Sequence, residues 1–171
     1  MLGALVIVVA AGAVIASGSS NTASKVNNGS TKTPSGSTTA PTAFKVGDEV
    51  KLGDWTVKVW AVTDPYTSTN QFLKPQAGFR WVSLDTEVKN AGKDSKAVSS
   101  LLCFKVQDAT NREYDESITS GVNPGPPDGD IPAGQSKRGN VVFEVPTLAT
   151  GLKLNFKCDL FSSGQATIAL S

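Results

Sequence analysis

The sequence predicts an all-β fold: a two-sheet sandwich of about seven or eight strands, preceded by an N-terminal hydrophobic segment and a disordered linker. Three observations carry this. Residues 78–92 alternate, with Val82, Leu84, Thr86 and Val88 on one face and Trp81, Ser83, Asp85 and Glu87 on the other, and the pattern stops at Asn90-Ala91-Gly92. That is the period of a strand with one face in a core and one in water. The same alternation recurs in short stretches separated by turn residues. No stretch of the folded part has a comparable helical period. Two packed sheets are the expected way to bury so many one-faced strands.

Residues 2–16 are uncharged and almost wholly apolar. Counted on to Gly18, the run reaches the lower edge of the roughly 17–20 residues that a membrane span needs. It also has the form of a signal-peptide core, with Val14 and Ala16 as small residues before a cleavage point. No Lys or Arg precedes it, and no Cys follows it to take a lipid. An upstream basic segment would orient it as an anchor with the rest outside. Residues 1–18 are therefore expected to be a signal peptide or membrane anchor, with a buried core segment as the remaining reading.

Residues 19–43 are dominated by Ser, Thr, Gly, Asn, Ala and Pro, with only Val26 as a large aliphatic. Such a composition buries too little apolar surface to offset chain entropy, so a flexible linker is expected. Its r.m.s. reach would be roughly 25–30 Å.

The domain is expected over 44–171. Val46 to Val50 reads as a short strand, and Gly53-Asp54 as a turn. Trp55, Val57, Val59 and Ala61 form an inward set, alternating with Thr56, Lys58 and Trp60; Asp64-Pro65 is expected to end that strand. Residues 64–78 read as a long loop before the strand of 78–92. Residues 97–106 are strand-like with Leu102, Phe104 and Val106 inward, and Arg112-Glu113-Tyr114 is a short return. Prolines fill 115–137. Val141, Phe143 and Val145 mark the next strand, which Pro146 stops. Leu152, Leu154 and Phe156, then Ala166, Ile168 and Leu170, mark the last two.

Composition excludes more than it proposes. The net charge is +1, and Lys25 and Lys32 are the only charges before residue 44, which leaves 14 basic and 15 acidic residues in the domain. No basic patch calls for nucleic acid. Histidine is absent, which removes the commonest general base, the commonest metal ligand and the Ser-His-Asp and Cys-His nucleophile systems. No catalytic, metal or cofactor residues are assigned, and no enzyme is expected.

The ordered signals together are similar to a known family. They run through Trp55-Thr56-Val57-Lys58-Val59, Arg80-Trp81-Val82-Ser83-Leu84, Lys89-Asn90 and Phe104-Lys105-Val106-Gln107-Asp108. They continue with Tyr114, Ile131-Pro132-Ala133-Gly134, Val142-Phe143-Glu144-Val145-Pro146 and Ala166-Thr167-Ile168-Ala169-Leu170. This resembles the telokin-like bacterial domain of unknown function, in the immunoprotective extracellular, immunoglobulin-like superfamily. The resemblance implies a secreted or surface-tethered immunoglobulin-like β-sandwich. It offers no catalytic residues to carry over, and this chain lacks the lipobox cysteine of many relatives.

Two sets of residues stand out as candidates. Cys103 and Cys158 are the only cysteines, and an exported pair is expected to be oxidised. A bridge would close a loop of about 55 residues and contribute roughly 3–4 kcal/mol by the chain-entropy relation. Cys103 has the outward parity of its strand and Cys158 the inward parity of its own, so a bulge or strand end must reconcile them. Trp60 and Trp81 both have the polar parity, and with Tyr66 they would form a ligand face for a sugar or a partner protein. The reading preferred over that face is that loop 64–78 folds over them or that these faces also pack. Asp128-Gly129-Asp130 is a fragment of a calcium loop and reads as a solvated turn. The expected function is an extracellular, non-enzymatic binding module for a protein or cell-wall polymer, with an inert surface protein as the alternative. A carbohydrate-active hydrolase would need a carboxylate pair in a cleft, and Asp85 and Glu87 lie on an open face.

Overall fold

The computed structural model describes residues 22–26, 44–158 and 164–171. The segment read as signal or anchor lies outside the described residues, as does most of the linker. Among the described residues no helix is long and apolar enough to cross a membrane.

In chain order the strands are β1 (Ser24–Lys25), β2 (Phe44–Lys45), β3 (Glu49–Leu52), β4 (Trp55–Tyr66), β5 (Phe79–Asn90) and β6 (Lys96–Val98). One helical turn, α1 (Ser100–Cys103), precedes β7 (Phe104–Gln107), β8 (Glu113–Tyr114), β9 (Gly129–Ile131), β10 (Ser136–Pro146), β11 (Lys153–Phe156) and β12 (Ala166–Ala169). Two five-stranded sheets form the sandwich, in the orders β1-β3-β4-β5-β10 and β2-β12-β11-β7-β8, while β6 and β9 pair separately. The longer strands are those expected. The additional ones are two- and three-residue pairings too short to leave a period in the sequence.

β5 is an interior strand of the first sheet, with partners along its length on both sides. Its inward residues Val82, Leu84, Thr86 and Val88 are buried. They join Val57, Val59, Val141 and Phe143 from their own sheet and Phe104, Leu154, Phe156 and Ile168 from the other. Phe104 and Phe156 meet edge to face across β7 and β11, with centroids 5.1 Å apart. Each fully buried aliphatic of this kind contributes about 1.5–3 kcal/mol.

The stop at Asn90 has a side-chain cause. Its buried amide donates to the carbonyls of Asp94 at 2.7 Å and Ile131 at 2.8 Å, and its Oδ1 accepts the N–H of Gly92 at 2.9 Å. These bonds turn the chain out of the sheet and tie it to β9. Beside Asn90, which pairs with Trp55, Leu52 pairs with Trp55 on its other side, leaving Gly53-Asp54 as the two-residue turn between β3 and β4. Gly53 has φ +60°, a conformation that a first turn residue of this kind adopts at low cost only as glycine.

Four expectations need correction. β4 does not end at Asp64-Pro65; it runs through that cis bond to Tyr66, which pairs with Trp81. Ala61 is not inward, because register shifts between Val59 and Ala61, and again between Thr63 and Tyr66, break the alternation. Leu102 is not inward either: it is 64% exposed, and Cys103 is buried instead. The cause is α1, whose helical period replaces the strand period over 100–103. Finally, residues 22–26 of the expected linker are structured. Ser24 pairs with Lys51 and Lys25 with Val50, so β1 is an added edge strand.

Candidate functional site

Cys103 and Cys158 form a disulfide. The parity conflict disappears because α1 turns Cys103 inward just before β7, while Cys158 follows the end of β11. Phe104 pairs with Phe156, and the N–H of Lys157 donates to the Cys103 carbonyl at 2.9 Å. The bridge therefore staples two strand ends that the sheet already holds side by side.

The three expected ligand-face residues divide. Trp81 is 1% exposed. Its indole N–H donates to Glu144 Oε2 at 2.8 Å, and its ring lies 6.3 Å from that of Tyr66. Loop residues Ser68, Leu73 and Pro75 line a hollow of about 180 Å³ against Tyr66, Arg80 and Trp81. Loop 64–78 thus folds over Trp81, and Trp81 leaves the candidate face. Tyr66 is half-buried beside it.

Trp60 stays out. It is 42% exposed and occupies the register break between Val59 and Ala61. A bulge gives an unpaired residue room to re-aim its side chain. The indole N–H donates to Glu87 Oε2 at 3.0 Å. Lys58 Nζ lies 3.4 Å from the ring centroid, and the Arg138 guanidinium carbon lies 4.7 Å from it. Such cation–π contacts contribute about 0.5–1 kcal/mol each at exposed sites. Arg138 also forks onto Asp85, donating from Nε at 2.8 Å and from Nη2 at 2.6 Å. That hydrogen bonding holds the Asp85 carboxyl below its usual range. The Ser136 side chain, and after it the Trp60 indole, lower Glu87 in the same way. Both carboxylates are thus ionised at neutral pH and held by partners.

Register explains why these groups meet. Lys58 pairs with Glu87 across β4 and β5, Glu87 pairs with Arg138 across β5 and β10, and Ala61 opposes Asp85. One ring, two cations and two anions therefore form a charge-balanced patch across three strands. The sequence showed Trp60, Asp85 and Glu87 on a polar face; it did not show Arg138 reaching them. The missed signal was the polar parity of Arg138 in a strand adjacent to β5.

Two further arrangements are structural. Arg80 donates to both carboxylate oxygens of Asp64, at 2.6 and 3.0 Å, and to the carbonyls of Pro146, Thr147 and Ala149. It ties the end of β4 to the turn after β10. Asp108 accepts from the N–H groups of Thr110 and Arg112 and the hydroxyls of Thr110 and Tyr114. The Thr110 hydroxyl, then that of Tyr114, holds its carboxyl far below the usual range. In the Asp128-Gly129-Asp130 fragment, Asp128 accepts the Ser100 N–H at 2.5 Å and its hydroxyl at 3.1 Å, while Gly129 and Asp130 enter β9. Among the described residues no group of three or more acidic or cysteine side chains is placed to hold a metal.

Comparison with known proteins adds a family and a fold. A family model described as a domain of unknown function matches residues 44–167. Among solved structures, the chain is similar to the yjhA protein of Bacillus subtilis, with a TM-score of 0.58 and 15% identity over 75% of this chain and 99% of that one. It is similar to the ycdA protein of Bacillus subtilis, named as a candidate lipoprotein, with a TM-score of 0.57 and 21% identity over 71% of this chain. The match covers 37% of the ycdA chain, so this chain corresponds to little more than a third of that protein. It is also similar to MPT63, a secreted protein of Mycobacterium tuberculosis, with a TM-score of 0.53 and 15% identity over 74% of this chain and 97% of that one. At these identities the likeness is one of fold. Among curated proteins, none matches the chain in sequence.

Proposed function

The chain belongs to the DUF4352 family of domains of unknown function, and we propose that it is an extracellular, non-enzymatic recognition module whose contact surface is the face around Trp60. Its kinship is with the telokin-like, immunoglobulin-like members of that class. Residues 1–18 tether it to the membrane or direct its secretion. The disulfide supports an oxidising location, and the named exports among its structural neighbours agree.

The observation that carries the reading is an exposed indole at a register break, positioned by Glu87, Lys58 and Arg138. Exposed aromatics held in place by neighbours contribute contact area at low entropic cost. The hollows at the disulfide end and beneath loop 64–78 hold only about 240 and 180 Å³, below the usual 300–1,000 Å³ of small-molecule sites. An extended partner suits such a surface. Because the ring sits among four charged groups rather than in an apolar cluster, a polar cell-wall polymer fits better than an apolar protein face. Asp85 and Glu87 are each held by a partner on an open sheet, which supports recognition over hydrolysis.

The test is cosedimentation of the full chain with insoluble cell-wall polymer. Wild type is expected to pellet and Trp60→Ala to lose at least tenfold in affinity while keeping a single cooperative urea transition. Equal pelleting of the two proteins would remove Trp60 from the contact surface.

A further inference from the structure

The two edges of the first sheet are covered in different ways. At the β10 edge, the N–H of Asn140 donates to the Gly125 carbonyl at 3.1 Å and its side chain to the Pro124 carbonyl at 3.2 Å. That cover comes from the segment just before β9. At the β3 edge the cover is β1, which precedes β3 by more than twenty residues of chain.

The β1 cover is slight. It consists of two paired positions, a bond from the Val26 N–H to the Glu49 carbonyl at 2.8 Å, and an exposed ion pair between Lys25 Nζ and Asp48 at 2.6 Å. Ala23 adds a small contact with the core. Backbone pairing of this kind carries no record of which molecule supplies the strand. A sheet edge offers its unpaired N–H and C=O groups to any extended chain. The charge match also survives exchange, because Asp48 stands beside β3 and Lys25 arrives with β1.

We propose that the β3 edge is a strand-acceptor site, filled here by residues 22–26 of the same molecule and open to the same residues of a second copy. Exchange replaces every contact with its equivalent, so the balance is set by chain connection rather than by contact energy. Residues 27–43 span at most about 55–60 Å when extended, enough to reach a neighbour. A connection of that length gives an effective local concentration on the order of 1 mM. Exchange is therefore minor in dilute solution and competitive when copies are crowded.

Ser24 and Lys51 are opposite each other and both exposed, so cysteines there can be trapped as a disulfide. The Ser24→Cys full chain is mixed with a mass-tagged Lys51→Cys full chain under mild oxidation and read on non-reducing gels. The expected result is a covalent heterodimer reaching about half the protein near 1 mM and falling to a few per cent near 20 μM. The Ser24→Cys/Lys51→Cys double variant, kept dilute, is expected to close within one molecule. Leu148→Cys, at an exposed position away from β3, measures random collision when mixed with Ser24→Cys. A heterodimer yield no greater than this background at 1 mM, with the double variant still closing, overturns exchange. Failure of the double variant to close overturns the docking of 22–26 on β3 itself.

Discussion

Replacing both cysteines with alanine tests how the bridge stabilises the domain. The native sheet needs no disulfide to bring the two positions together, since Phe104 pairs with Phe156 and Lys157 donates to Cys103. The loss therefore falls mainly on the unfolded chain, which the bridge restrains across a separation of 55 residues. The chain-entropy relation gives about 4 kcal/mol for such a loop at 25 °C. Domains of this size are stable by about 5–15 kcal/mol, so the variant keeps its fold with a much reduced margin. Urea unfolding of oxidised wild type and Cys103→Ala/Cys158→Ala should show a lower midpoint for the variant. Its denaturant slope should also be steeper, because the uncrosslinked unfolded chain exposes more surface. Near-ultraviolet circular dichroism of the folded proteins should change little. A loss below about 1 kcal/mol with an unchanged slope would refute the account and place the bridge's role elsewhere.

Glu116 and Gly139 yield two further expectations. Burial raises the Glu116 pKa against a lowering Ser100 hydrogen bond, nearby Asp128 raises it further, and the buried Oε2 has no partner. A raised folded-state pKa favours folding below the unfolded value, and that contribution is lost as pH rises through the folded value. Glu116→Gln should therefore be more stable than wild type at pH 8, by less than about 1 kcal/mol because water screens the partly exposed group. The advantage should vanish near pH 4; urea midpoints at both pH values check the sign. A Cβ on Gly139 would collide with the Gly125 carbonyl oxygen and crowd Pro126 at 3.0 Å. Gly139→Ala should cost about 1–3 kcal/mol and speed hydrogen exchange of the Asn140 amide.

Much of this architecture is legible in the chain because a strand with one buried face must alternate. Val82, Leu84 and Val88, and likewise Val141, Phe143 and Val145, declare their strands and their inward faces. Asn90-Ala91-Gly92 declares a stop. The lack of histidine and the even cysteine pair are equally fixed by the letters. Period-2 reasoning fails wherever the period is interrupted. The register break in β4 separates Trp60 from Trp81, two residues of the same parity, and loop 64–78 then buries only the second. The helical turn α1 exchanges Leu102 for Cys103 at the core.

The one-faced strands are written in the chain, because burying a face leaves a repeat in the side chains. How their edges and outer faces are used depends on which strands the fold sets side by side. Arg138 reaches Trp60 and Asp85 only because β10 lies beside β5. Ser24-Lys25 becomes a strand only because the β3 edge has backbone groups to pair, and backbone hydrogen bonds are the same for every residue but proline, so no pattern of letters announces them.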